Sequence, residues 1–233
     1  MTVSPQIVLL GKDNNRFCHY AEKILTSYFL EKDVVCLYGK TGDEFKEEWF
    51  QYRPEYVISF LSPWILSQDF LDTASVAAIN FHPGSPDYPG TGGYSYALYE
   101  GAERYGVTVH HMLARVDSGR IILTDYFPVA SHDTVETLQL KAMNHLLICF
   151  EKIIDFLSRG KALPSSDETW RRNPLTTKDL FSLYQIDPLH QNTAEIERRI
   201  RASLYPSMTN VFVELAGKRF YVQPEQRLPI VKT

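Results

Sequence analysis

The stretch "QIVLLGKDNNRFCHYAEKILTSYFLEKDVVCLYG", residues 6 to 39, decides the fold. "QIVLLG" is a continuous apolar run closed by Gly11, as expected of a strand buried on both faces. In "RFCHYAEKILTSYFLE", Phe17, Tyr20, Ala21, Ile24, Leu25 and Tyr28 recur at helical spacing. "DVVCLYG" then reads as a second strand. Strand, helix and strand in so short a span argue for parallel pairing, because parallel neighbours need a crossover connection.

Working outward, "DEFKEEWFQYR" is expected to form a short charged helix and "EYVISFLS" a third strand. "SVAAINFHP" is a fourth strand, which Pro83 cannot continue. "GGYSYALYEGA" reads as a helix closed near Gly101, and "YGVTVHHMLAR" and "RIILTDYFPV" as two strands joined through the turn "DSG". "TVETLQLKAMNHLLICFEKIIDFLSRG" is a long helix opening near Asp133 or Thr134 and ending at Gly160. Leu138, Met143, Leu146, Leu147, Phe150, Ile153, Ile154 and Leu157 supply its apolar faces. The expected class is α/β, a doubly wound and mostly parallel sheet over residues 1–160. From residue 161 the pattern changes to a loop, "KALPSSDETWRRNPLTTKDL", a short amphipathic helix, "TAEIERRIRASL", and a hairpin around "AGK" in "MTNVFVELAGKRFYVQ". Residues 161–233 are therefore expected to be a small C-terminal extension.

The 233 residues are 44% hydrophobic and 22% charged, which excludes a disordered or collagen-like chain. Residues 1–160 hold 13 Lys/Arg against 20 Asp/Glu, and residues 161–233 hold 11 against 8. The net charge of −4 gives no overall footprint for nucleic acid. The tail's net +3 leaves room for a phosphate-bearing ligand, or is a solvated helix face around "EIERRIR". Cys18, Cys36 and Cys149 are too far apart to suggest zinc or a disulfide frame, so a reducing, cytoplasmic setting is expected. "MTVSPQIVLLGKDNN" lacks the basic start and apolar length of a signal peptide, and no run reaches membrane-spanning length.

Chemistry concentrates in "AINFHPGSPDYPGTGG", residues 77–92. Residues two apart on a strand share a face, so Asn80 and His82 can enter one cleft beyond the carboxyl edge of the sheet, where open α/β sheets bind ligands. An amide can donate to a developing oxyanion while an imidazole moves a proton, and a carboxylate such as Asp117 in "VDSG" can fix the imidazole tautomer. Of the neighbours His110 and His111, alternation lets only one face that cleft. Each residue alone has a plainer reading: a satisfied histidine, an asparagine bonding its own backbone, an aspartate in a turn. Their conjunction at successive strand ends favours a site.

"INFHPGSPDYPGTGG" followed by "YGVTVHHMLARVDSGRII" resembles the hallmark of the formyltransferases that use N10-formyltetrahydrofolate. The resemblance covers roughly residues 1–160 and implies a Rossmann-like fold. It places the family's catalytic Asn, His and Asp on Asn80, His82 and Asp117, with His110 as a supporting histidine. It also implies attack of a neutral amine on the formyl carbon through a tetrahedral intermediate, with no metal. "SFLSPWIL" resembles the segment that walls the folate pocket, making Pro63, Trp64 and Ile65 candidate contacts, and Val116 and Asp117 are candidates beside them. Many relatives carry Ser-Leu-Leu-Pro after His-Pro, where this chain has "GSPDYPG". That loop frames the amine substrate, so Tyr88, Gly90, Thr91, Gly93 and Tyr94, together with Lys12 beside Gly11, are candidate acceptor contacts.

The tail is similar to that of sugar N-formyltransferases, which act on nucleotide-linked amino sugars. The resemblance implies a dTDP-linked 4-amino-4,6-dideoxyhexose such as dTDP-4-amino-4,6-dideoxyglucose as acceptor, a homodimer, and no nucleic-acid or membrane partner. Methionyl-tRNA, glycinamide ribonucleotide, hydrolysis of the same folate, or a folate-fold binding module without turnover are the alternatives. A tail of net +3 is a weak tether for tRNA.

Overall fold

In a computed structural model, which describes residues 4–205 and 210–223, the described residues form nine strands and six α-helices. These are β1 (Ile7–Lys12), α1 (Arg16–Tyr28), β2 (Val34–Gly39), β3 (Tyr56–Phe60), α2 (Gln68–Leu71), β4 (Ala77–His82), α3 (Gly93–Glu100), β5 (Arg104–His111), β6 (Ile121–Pro128), α4 (Val135–Ser158), α5 (Thr177–Tyr184), β7 (Gln185–Ile186), α6 (Thr193–Ser203), β8 (Phe212–Leu215) and β9 (Lys218–Tyr221).

The first six strands form one sheet in the order β2-β1-β3-β4-β5-β6, and β7-β8-β9 form a second. β2, β1, β3 and β4 pair in parallel, while β5 and β6 are antiparallel additions at the β4 edge. The expected α/β, mostly parallel sheet is thus observed. The chain leaves β1 toward β2 on one side and returns to β3 on the other, so strand order switches between β1 and β3. At such a switch the loops diverge and leave a crevice.

Period-two alternation sorts the apolar strand residues onto two faces. Ile7, Leu9, Ile58, Phe60, Ile79 and Phe81 join the larger core with α1 and α4, and Val8, Leu10 and Val57 join a smaller one with Trp49, Phe70 and Leu71. α4 is held by Phe150, whose ring centroid lies 5.3 Å from Phe60 and 4.9 Å from Phe81. Burying side chains of this size contributes about 1.5–3 kcal/mol each. Asn15 caps α1 through two backbone N–H groups, and Thr134 with Thr137 forms a capping box on α4.

Two local expectations are corrected. "DEFKEEWFQYR" contributes only a 3₁₀ turn, Glu47–Gln51, because Phe45, Trp49 and Phe50 fold inward as an aromatic cluster with Trp64 and Phe70 rather than along one helical stripe. The loop expected through residue 180 ends earlier, at α5, where Thr176 and Asp179 form a capping box. The hairpin is as expected: β8 and β9 turn at Ala216 and Gly217, both with positive φ, matching the hairpin turns that strand twist favours. The Met208 and Thr209 that begin the quoted tail segment lie outside the described residues.

The three cysteines are free thiols. Burial pushes Cys36 and Cys149 up to about 12, so neither carries thiolate character near neutrality. Among the described residues, no group of three or more His, Cys, Asp or Glu could hold a metal, and no helix is long and apolar enough to cross a membrane.

Candidate active site

β4 delivers Asn80 and His82 to the carboxyl edge of the sheet, and antiparallel β5 sets His110 directly opposite Asn80 in register. The turn between β5 and β6 brings Asp117 back. A β-bulge between Val109 and His110 re-aims the strand end, and Asp117 takes a positive φ of 41°. A non-glycine residue in that region is strained and needs surrounding contacts to hold it.

Those contacts are present. Asp117 Oδ2 lies 3.2 Å from His82 Nδ1 and accepts the Gly90 backbone N–H at 2.7 Å, while Oδ1 lies 3.2 Å from His110 Nε2. Burial pushes the Asp117 carboxyl up, but His82, His110 and the Gly90 N–H outweigh it and hold the group down at about 2. The carboxylate is therefore charged at all physiological pH values.

His82 Nε2 faces the Tyr88 carbonyl at 3.1 Å, so both of its ring nitrogens meet acceptors. His110 Nδ1 sits 2.8 Å from the His111 carbonyl, and its Nε2 also lies 3.0 Å from the Asn80 side-chain amide. It is the Asn80 Nδ2–H₂ group that faces this Nε2, and the second of its two N–H bonds stays available to a further acceptor. His111, half-buried, is not among the residues lining the cavity; burial, Arg120 and His110 hold its imidazole below the usual value.

Asn80, His82, His110 and Asp117 share a cavity of roughly 250 Å³. Its remaining wall is largely apolar and includes Pro63, Trp64, Ile65, Met112 and Val116. All the folate-side candidates from the sequence thus line the same cavity as the polar quartet. An apolar slot with a few convergent polar groups suits a flat heterocycle.

A second cavity of roughly 670 Å³ lies at the β1/β3 switch and shares Leu61, Ser62 and Pro83 with the first. Lys12, Arg16 and Tyr94 line it. The other acceptor-side candidates are placed elsewhere. Tyr88 stacks on Tyr105 beneath the Arg172 guanidinium, 4.9 Å from its centroid. Thr91 N donates to the Leu175 carbonyl, and Gly90 pairs with Leu175 so closely that a Cβ would overlap that backbone. Gly93 makes room for Tyr105 and Tyr88. In this structure those glycines serve packing.

What presses on Gly90 is a strap, residues 168–175, part of the stretch that reads as loop in the sequence. Arg171 N donates to Pro86 O, Leu175 N to Pro89 O, and Arg172 makes two 2.9 Å bonds to Glu100. Trp170, from this strap, approaches both His82 and His110. Nothing in the sequence singled it out, because an extended segment paired to a distant loop has no periodic signature.

Residues 15–147, more than half of the chain, match the formyl transferase family model. GDP-perosamine N-formyltransferase from Brucella melitensis biotype 1 is 26% identical over 182 residues, covering 78% of this chain and 69% of that protein. A sugar N-formyltransferase from a Shewanella species superposes with a TM-score of 0.77 at 18% identity, covering 96% of this chain and 99% of that one. An N-formyltransferase from Helicobacter canadensis, solved with folinic acid and dTDP-3-aminofucose, gives 0.70 at 16%, covering 92% and 86%. The two structures are alike in fold, and the family match spans the strand ends that converge on the smaller cavity; the chain belongs to the formyl transferase family.

Proposed function

We propose that the protein transfers a formyl group from N10-formyltetrahydrofolate to the amino group of a nucleotide-linked amino sugar. The observation that carries this is the convergence of Asn80, His82 and Asp117 at the wall of an apolar cavity that adjoins a second, larger one. The smaller cavity suits the pterin of the donor, with Pro63, Trp64, Ile65 and Val116 against its ring. The larger suits a bulky anionic acceptor, with Lys12 and Arg16 on its wall to meet phosphate charge.

The donor supplies an activated formyl group on nitrogen. As the acceptor nitrogen bonds to the formyl carbon, the carbonyl electron pair moves to oxygen. Asn80 donates its side-chain amide to that oxygen; one such donor is worth about 2.7–4 kcal/mol in the transition state. His82 takes the proton that the amine releases, and Asp117 holds the imidazole through Nδ1. The C–N10 bond breaks as its electron pair returns to N10, and the proton passes there from His82. His110 keeps Asp117 in place from the far side. Residues 1–160 would carry this chemistry, with the 168–175 strap of the C-terminal extension packed against it.

For the acceptor, the tail's likeness to sugar N-formyltransferases supports a 4-amino-4,6-dideoxyhexose linked to dTDP, such as dTDP-4-amino-4,6-dideoxyglucose. The Brucella relative, named for GDP-perosamine, supports a GDP-linked sugar as the second reading. The homodimer and cytoplasmic location expected from the sequence are part of the same reading. The test is incubation with N10-formyltetrahydrofolate and a panel of dTDP- and GDP-amino sugars, glycinamide ribonucleotide and methionyl-tRNA, read by mass spectrometry. A gain of one carbonyl on an amino sugar nucleotide supports the proposal, and a gain only on tRNA or glycinamide ribonucleotide rejects it.

A further inference from the structure

Trp170 lies beyond residues 15–147, yet it touches every element that holds the polar quartet. Its indole Nε1–H donates to the Gly119 carbonyl at 2.8 Å, in the turn that carries Asp117. Its ring packs nearly perpendicular to His110, centroids 5.0 Å apart, and to His82, 5.9 Å apart. Gly119 in turn lies so close to the His111 carbonyl that a Cβ would overlap it, so the turn is pressed flat against the end of β5. Arg115, two residues before Asp117, donates to Asn173 of the same strap at 2.9 Å. The strap therefore grips the turn at two points.

The strap's other edge binds the loop after β4. Arg171 N bonds Pro86 O at 3.0 Å, Arg171 Nη1 bonds Asp87 at 2.7 Å, and Leu175 N bonds Pro89 O at 2.9 Å. That loop supplies Tyr88 O to His82 and Gly90 N to Asp117. Trp170 thus stands between two loops whose spacing fixes the distance between His82 and Asp117. A strained Asp117 at φ 41° keeps its place only if both loops are held.

We propose that Trp170 is a positioning residue for formyl transfer. It locks the His82–Asp117–His110 chain by fastening the Gly119 turn and by filling the space against both imidazoles. This rests on the reading of the site as a formyl-transfer centre. Trp170 touches neither substrate in this account and acts through the two histidines and Asp117, so its loss should lower turnover and leave substrate affinity in place.

The test compares wild type with Trp170→Phe, which keeps an aromatic ring and removes the N–H donor, and with Trp170→Ala. Each is followed by steady-state kinetics and by NMR of the imidazole signals, assigned with His82→Gln and His110→Gln. For Trp170→Phe the expected result is a kcat about tenfold lower, as loss of one neutral hydrogen bond implies, with KM for donor and acceptor within about twofold. The ring ¹⁵N signals of His82 and His110, which report where the ring protons sit and are little moved by ring currents, should both shift, and Trp170→Ala should fall further. Unchanged kcat with unmoved imidazole signals would overturn the proposal, as would a rise in KM alone, which would put the indole at the substrate rim. If wild type formylates none of the acceptors offered, the functional reading fails, while the imidazole shifts still decide whether Trp170 sets the histidines. Should Trp170→Ala not fold, Trp170→Phe carries the test alone.

Discussion

The backbone N–H of Gly90 donates to Asp117 Oδ2 at 2.7 Å, so the carboxylate that faces His82 also fastens the loop leading away from it. One oxygen does two jobs. Replacing Asp117 by Asn keeps an acceptor for Gly90 but removes the charge opposite His82. Formyl transfer by Asp117→Asn should fall by roughly 10²- to 10⁴-fold, the range for loss of an oriented acid–base pair, with an unchanged far-UV circular dichroism spectrum. Turnover within threefold of wild type, about 0.6 kcal/mol, would contradict the role given to this carboxylate.

Asp117 also makes stability depend on pH in a defined direction. Its folded-state pKa is depressed to about 2 from an ordinary 3.8, so its contribution is fully present above about pH 4 and is lost as pH falls through about 2. Chemical denaturation of wild type and Asp117→Asn across this range should show a gap that is constant near neutrality and closes toward pH 2. A gap that widens on acidification would reverse the sign.

Gly90 and Gly101 both have positive φ, 84° and 69°, but only Gly90 is pressed against Leu175. Gly101→Ala should cost about 1–2 kcal/mol, the left-handed penalty alone. Gly90→Ala adds an overlap with backbone that cannot rotate away, about 1–3 kcal/mol more. Urea unfolding of the two variants measures the difference, and equal losses would mean that the strap is not seated on this loop.

Phe150→Ala empties the junction of α4 with Phe60 and Phe81 and should cost about 3–5 kcal/mol. A loss under 1 kcal/mol by the same measurement would show that α4 does not seal the larger core.

The parallel strands were legible because burial on both faces writes an unbroken apolar run, as in Ile7–Leu10. Asn80, His82 and Asp117 were legible as polar residues at strand exits, and their family pattern is local in sequence. The role of Gly90 was not, because a glycine demanded by an approaching strap looks the same in sequence as one demanded by a ligand. The α5 start did carry a signal, Thr176 with Asp179 at capping-box spacing, that the neighbouring loop composition masked. Glu47–Gln51 reads as a helix because its charges suggest an exposed face, whereas its aromatics are committed to packing. Trp170 had no signature at all, since only the fold brings it to His110.

The most direct test is single-turnover formyl transfer from N10-formyltetrahydrofolate to a dTDP- or GDP-linked 4-amino sugar by wild type and His82→Ala. The account predicts one formyl group transferred per active site by wild type, and a rate at least about 10²-fold lower for a folded His82→Ala. Transfer by His82→Ala at the wild-type rate, or none by wild type to any amino sugar nucleotide, would contradict it.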